Sequence, residues 1–395
     1  MKIQKDLSQQ TKPHSRVKKI AALAMSFNVI LSQAFCLALP FIAMPTAIAQ
    51  EVVENNATVF QNGAMNFGVI TQQGGTGNNT EIDQQGSFNE ATVEQDGSGN
   101  QAFVNQVNEL EEGDQGVLED LLILDPLAPG GGGGEGGFLG NLAANTADIS
   151  QVGDDNFAEV NQDGMLNEAT LEQNGFSNHA LIEQVDENMS IEVTQTGDNN
   201  RVESSQTSGS RNEATVVQTG NNNLATITQV DFQNEIFITQ LSDDNEATVS
   251  QDGSMNTATV VQEGGIDNIS LIETLGVNNT AEITQDGSNN NASIMQDGTF
   301  NEAIISQTGS DNMASITQDG FRNEGLIEQI GIGNIASIIQ DGFNNLASIL
   351  QTGNGHNASI EQTGNNNNAE IIQEGSPKTI AVTQTGNQTF FIHQQ

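Results

Sequence analysis

The sequence predicts an all-β protein: a two-sheet parallel β-solenoid of about 14 coils, with 22 residues per coil drawn from two 11-residue strand-turn units. Three observations carry this prediction. Gln recurs every 11 positions through most of the chain, apolar and polar residues alternate ahead of it, and Gly stands two positions after it. Such self-similarity is the signature of one small unit stacked many times. A helix is excluded by the period of 2 and by a Gly in nearly every unit.

Taken in order, residues 1–49 read as a secretory signal peptide. A basic, polar segment ends at Lys18-Lys19, an apolar run begins at Ile20, and Ala47-Ile48-Ala49 forms a small-x-small cleavage site. Pro40 and Pro45 interrupt the apolar run, which argues against a retained transmembrane anchor. Cys36 is the only cysteine and leaves with the signal, so no disulfide or thiol chemistry is expected afterwards. Residues 50–106 hold the first repeats, ending at Gln61, Gln72, Gln84, Gln95 and Gln106. Residues 107–144 break the pattern with an acidic-aliphatic stretch (Leu110 to Leu127), Pro129 and the run Gly130 to Gly134. They read as a loop excursion between coils with a flexible linker, the alternative being a short amphipathic helix at 115–124 packed on a sheet face. Residues 145–395 form the main solenoid, with Gln from Gln151 to Gln206, from Gln218 to Gln262, and from Gln285 to Gln395. One-residue insertions shift the phase near 73–84, 206–218 and 262–274, and Thr274 takes a Gln place.

The unit is N-x-A-x-[IV]-x-Q-x-G-x-x, as in Asn301 to Gly309. In a strand, alternate side chains face one way, so Asn, Ala, Ile/Val and Gln point inward together. The alternating positions are mostly Thr, Ser or Glu, which suits a solvated face. Gly in the stretch after Gln supplies the turn by taking positive φ. Absent Trp and Tyr imply a thin core, filled by Ala and Ile/Val between two facing sheets. Inward amides are costly if unpaired, but in a stack they can bond the same residue above and below as amide ladders. The candidate structural ladder and turn residues are Asn301, Gln307, Gly309, Asn312, Gln318, Gly320, Asn323, Gln329, Gly331, Asn334, Gln340, Gly342, Asn345, Gln351 and Gly353.

Charge narrows the choice of partners. Ten basic and 51 acidic residues give a net charge of −41; removing residues 1–49 takes six basic residues and one acid, leaving 4 and 50, or −46. Nucleic acid and anionic membranes are poor partners for such a chain, and no stable membrane insertion is expected. Catalytic and cofactor signals are absent: His179, His356 and His393 are isolated, without metal-ligand spacing, and the acids are spread like surface charge. Asp297, Asp319 and Asp341 stand 22 apart and form a negative column at one edge, read as solvated Asp-Gly turns or, more sharply, as a calcium-binding or assembly-slowing column. Phe321 and Phe343 share that spacing and read as stacked, exposed turn aromatics.

The unit Q-x-G-x-x-N-x-A-x-x-x-Q, as in Gln318, Gly320, Asn323 and again Gln329, Gly331, Asn334, resembles the curlin repeat of curli amyloid subunits. The resemblance spans most of residues 55–395. It implies a self-polymerising, homopolymeric cell-surface fibre of a Gram-negative-type bacterium, supporting adhesion and biofilm matrix. It also implies export through an outer-membrane secretion channel, and a nucleator subunit. The repeat number is larger than is common in the family. The last two units depart from the pattern, with Lys378 and Thr389 in place of Asn. No capping element is evident at either end of the solenoid, so its open sheet edges are expected to template end-to-end stacking. The alternative is a monomeric surface β-solenoid adhesin or ice-binding protein.

Overall fold

The computed structural model describes residues 55–63, 66–108 and 145–395. The expected signal peptide at 1–49, the segment 109–144 and the alternative helix at 115–124 lie outside the described residues. Within them the chain forms 28 strands, β1 to β28 in chain order. They begin with β1 (Asn56–Asn62) and β2 (Phe67–Gln73) and end with β27 (Thr379–Thr385) and β28 (Thr389–Gln394). Odd-numbered strands build one 14-stranded sheet and even-numbered strands the other. Every pairing is parallel, so the chain alternates between two facing sheets and climbs one strand per coil. This is the all-β solenoid of about 14 coils that the repeat predicts.

Register follows the repeat residue by residue. Between β21 (Met313–Phe321) and β23 (Ile335–Phe343), Ala314 lies beside Ala336, Ile316 beside Ile338, Gln318 beside Gln340 and Gly320 beside Gly342. A slip of one residue would turn every inward side chain to solvent, so the buried face holds this register. The inward Ala and Ile/Val of both sheets form one continuous apolar cluster from Ile82 to Val382. Each fully buried Ile or Val contributes roughly 1.5–3 kcal/mol.

Most turns use two left-handed residues, of which the sequence pattern foretold one. The Gly after Gln has positive φ, +116° at Gly320, and a Cβ there would collide with the carbonyl oxygen of Gly342 in the next coil. The residue just before each Asn is left-handed too, with φ of 58° at Asp311, 55° at Arg322 and 54° at Asn344. Its backbone N–H donates to the coil below, as from Asn344 to the Phe321 carbonyl at 3.0 Å. That bond recurs up the stack and holds even Phe300 and Arg322 in a conformation unfavourable for L-residues. The signal in the sequence is mixed: Asn, Asp and Gly, which tolerate left-handed φ best, are frequent at that position, but Phe300, Arg322 and Met255 also occupy it.

Insertions go into turns and leave the columns intact. Gln206 donates to Gln229, 23 residues on, at 2.7 Å, because the extra residue is taken up in the turn around Ser208 to Arg211. The long interruption behaves in the same way. It falls in the sequence between β5 (Gln101–Asn108) and β6 (Thr146–Asp154), and Gln106 still donates to Gln162 at 2.8 Å across 56 residues. The C-terminal phase differs from the 11-residue count. Gln394, not Gln395, accepts from Gln373 at 3.1 Å, and Gln388, not Thr389, occupies the Asn place, its N–H bonded to Asn367 Oδ1. One residue is missing from the last turn, so counting by 11 overshoots there by one.

Candidate functional site

The chemistry-bearing side chains of this fold are the inward amides. In the odd sheet, Gln318 Nε2 donates to Gln340 Oε1 at 2.8 Å and Gln340 to Gln362 at 2.9 Å. In the even sheet, Gln307 donates to Gln329 and Gln329 to Gln351, both at 2.9 Å. All of these side chains are buried. The ladder has a direction: every donor points toward the C-terminal coil. In most rungs the second N–H of the amide crosses the core to a carbonyl of the opposite sheet, from Gln318 to Glu302 at 2.8 Å and from Gln329 to Met313 at 3.0 Å. One side chain therefore ties coil to coil and sheet to sheet. The repeat alone does not reveal this cross-core bond, because it depends on how closely the two sheets approach.

Asn behaves differently from a simple ladder. Asn301 Oδ1 accepts the backbone N–H of Asn323 at 3.0 Å, and Asn312, Asn323, Asn334 and Asn345 do the same for the residue one coil on. Their Nδ2 atoms donate to the glycine carbonyls of the next coil: Asn301 to Gly320, Asn312 to Gly331, Asn323 to Gly342, and Asn334 to Gly353, at 2.9–3.3 Å. Gly309 receives the same bond from Asn290 at 3.0 Å. Amide-to-amide bonds occur as well, as from Asn345 to Asn323 at 3.0 Å. The Asn column thus mainly staples the turns, whose buried backbone groups need partners.

The columns carry informative exceptions. Thr274 replaces Gln between Gln251 and Gln296, and both Thr274 Oγ1 and Gln296 Oε1 are buried without a partner. Thr80 and Ser270 replace Ala and accept from one Gln while donating to another, at 2.8–3.2 Å. Met189, His356 and Lys378 fill Asn places. His356 is fully buried in an Asn place, with its ring Nε2 3.3 Å from the Thr352 carbonyl. His179 stacks on Phe157, with centroids 4.6 Å apart. Burial, and secondarily the positive charge of Arg201, hold its pKa below the usual histidine value.

Asp297, Asp319 and Asp341 lie side by side in register at the end of the odd-sheet strands. Among the described residues no group of three or more His, Cys, Asp or Glu stands close enough to hold a metal ion. Phe321 and Phe343 stack with centroids 4.9 Å apart, and Phe343 is exposed. Arg322 lies over Phe321 at 4.9 Å, and Phe300 packs edge-on. The solenoid ends in unpaired strands: among the described residues, β1, β2, β27 and β28 each have a neighbour on one side only.

With that geometry in hand, comparison with known families is specific. The curlin associated repeat matches twelve times, mostly in overlapping windows that cover residues 75–107, 143–230, 233–264 and 276–386, about two-thirds of the chain. No curated protein matches the sequence.

Proposed function

This chain belongs to the curlin associated repeat family, and from that premise we propose that it is the structural subunit of an extracellular, curli-like amyloid fibre, assembling end to end by cross-β stacking. The observation that carries this reading is the polarity of the open ladder. Among the described residues, Gln61 and Gln72 have no ladder Gln on their N-terminal side to donate to their Oε1 atoms, and Gln384 and Gln394 have none on their C-terminal side to accept from their Nε2 atoms. Among the described residues, each end also leaves a row of unpaired backbone groups on two strands. An open edge of this kind templates another chain. Stacking the C-terminal coil of one copy on the N-terminal coil of the next joins donors to acceptors, whereas stacking like ends does not.

Family membership supports a structural and not a catalytic role, on the surface of a Gram-negative-type bacterium, in adhesion and biofilm matrix. Export through a dedicated outer-membrane channel and initiation by a nucleator subunit complete the proposal. The test is electron microscopy of the purified chain from residue 50 onward, incubated at micromolar concentration with thioflavin. Long fibres with rising fluorescence are expected. Discrete rods that stay monomeric would sink the reading in favour of a monomeric surface adhesin or ice-binding solenoid.

A further inference from the structure

The outward faces of the solenoid are not uniform. Each strand presents three flat outward positions, one, three and five residues after the inward Asn. In β19 (Asn291–Thr299), β21 and β23, neighbours in the odd sheet, none of these nine positions is charged. No other run of three neighbouring strands among the described residues, in either sheet, is free of Asp, Glu, Lys and Arg at those positions. The even-sheet strands at the same height, β20 (Glu302–Ser310), β22 (Glu324–Ile332) and β24 (Leu346–Asn354), carry Glu302, Glu324 and Glu328 there.

The charge-free face has relief. Met313 and Ile335 form a ridge along one side, and Met295 and Ile339 stand along the other, each 43–53% exposed. Between them runs a low column of Ser293, Ser315 and Ser337, half-buried, with Ser315 Oγ bonded to Ser337 Oγ at 3.1 Å. Asn291 and Thr317 complete the two columns, and two largely apolar ridges flanking a channel of small side chains can interdigitate with a copy of themselves, as in the dry interfaces between paired β-sheets.

We propose that this face is a lateral docking surface for the same face of a second copy, and that it bundles filaments. The inference rests on the fibre reading above. Charge selects the occupant. In a chain of net −41, two copies repel each other wherever carboxylates meet; these nine positions carry none, and the nearest acidic column, exposed Asp297, Asp319 and Asp341, borders them along one edge only. Area selects the stage of assembly. Three strands at ~4.8 Å and five residues at ~3.3 Å give about 240 Å² per copy. That is well short of the ~800 Å² per partner of a stable interface. Single subunits therefore do not dimerise through it. In stacked filaments the patch recurs once per subunit, and many weak contacts add.

The experiment compares the chain from residue 50 onward with two double variants. M313E/I339E places carboxylates on the face, using the residue type that Glu246 and Glu361 already supply at equivalent positions. L326E/L346E adds the same charge to the even sheet. Filament width is read by electron microscopy and bundling by low-speed sedimentation, with thioflavin following elongation. The expected result is bundled filaments for the parent and for L326E/L346E. M313E/I339E should give single filaments that elongate at a rate within about twofold of the parent and lose most of their sedimenting mass. Bundles of parental width in M313E/I339E would overturn the proposal, as would parent filaments that stay single. Deleting 109–144 and finding that only then do filaments bundle would assign the face to that segment and overturn it as well. If no fibre forms from the parent, the fibre reading fails first and this inference with it; fibres that form without bundling sink this inference alone.

Discussion

A buried primary amide is costly unless both of its N–H groups and its oxygen are met. The solenoid meets them by placing the next Gln one coil away and a backbone carbonyl across the core. Thr274 shows what happens when this fails, since it leaves its own hydroxyl and the Gln296 oxygen unpartnered. Thr274→Gln should restore the column between Gln251 and Gln296 and stabilise the fold by about 1–3 kcal/mol, the usual cost of an unmet buried polar group. A rise in the denaturant midpoint, followed by circular dichroism on unpolymerised chain, would check it. A titrating residue gives a second prediction. His179 has its pKa lowered, chiefly by burial, so the folded state disfavours its charged form while the unfolded chain binds a proton near pH 6.5. Its contribution to stability is present above that value and is lost as pH falls through the folded pKa. Stability should decline below about pH 6.5, and His179→Phe, extending the stack on Phe157, should reduce that decline. An unchanged pH profile in the variant would exclude His179 as the source.

At the scale of the strand-turn unit, the strand was legible and the turn half legible. Alternation placed Ala314, Ile316 and Gln318 inward, and all are buried. The Gly of the turn was readable from composition, but the second left-handed residue was obscured because Phe300, Arg322 and Met255 also occupy it. What allows those residues is the bond from their N–H to the coil below, which exists only in the stack. The two kinds of glycine should therefore differ. Gly320→Ala, with φ of +116° and the Gly342 carbonyl in the way, should cost about 3 kcal/mol or more. Gly333→Asn, at φ +65° with nothing within 4 Å, should be within about 0.5 kcal/mol of neutral. Denaturation midpoints of the two variants, measured side by side, check the contrast; equal losses would refute the assignment of the collision.

Over the whole molecule, the register of two 14-stranded sheets survives both one-residue insertions and a 34-residue excess between strands. Loop length is thermodynamically cheap compared with register. The largest case is the interruption after β5, where the ladder skips from Gln95 to Gln151 and from Gln106 to Gln162, 56 residues each and so 34 beyond the ordinary 22. Deleting 34 residues, 110–143, should close the turn to normal length and leave β-sheet content, denaturation midpoint and fibre elongation essentially unchanged. Loss of folding in that variant would show that the segment supports the solenoid. The uneven outward faces also belong to this scale: one residue at a time they look like scattered exposed hydrophobics, and only pairing by coil assembles them into a face.

The sequence by itself determined the solenoid, its parallel register and the identity of the inward columns, because each is a consequence of periodicity: a repeat of 11 with an internal period of 2 admits few other packings. It also determined where the pattern breaks, at Thr274 and at 107–144. The tertiary structure decided what periodicity does not encode. It assigned Asn to the turn carbonyls, sent the second Gln N–H across the core, moved the last rung to Gln394 and placed His356 in a buried turn. Those outcomes depend on distances between coils and between sheets, which exist only once the stack has formed.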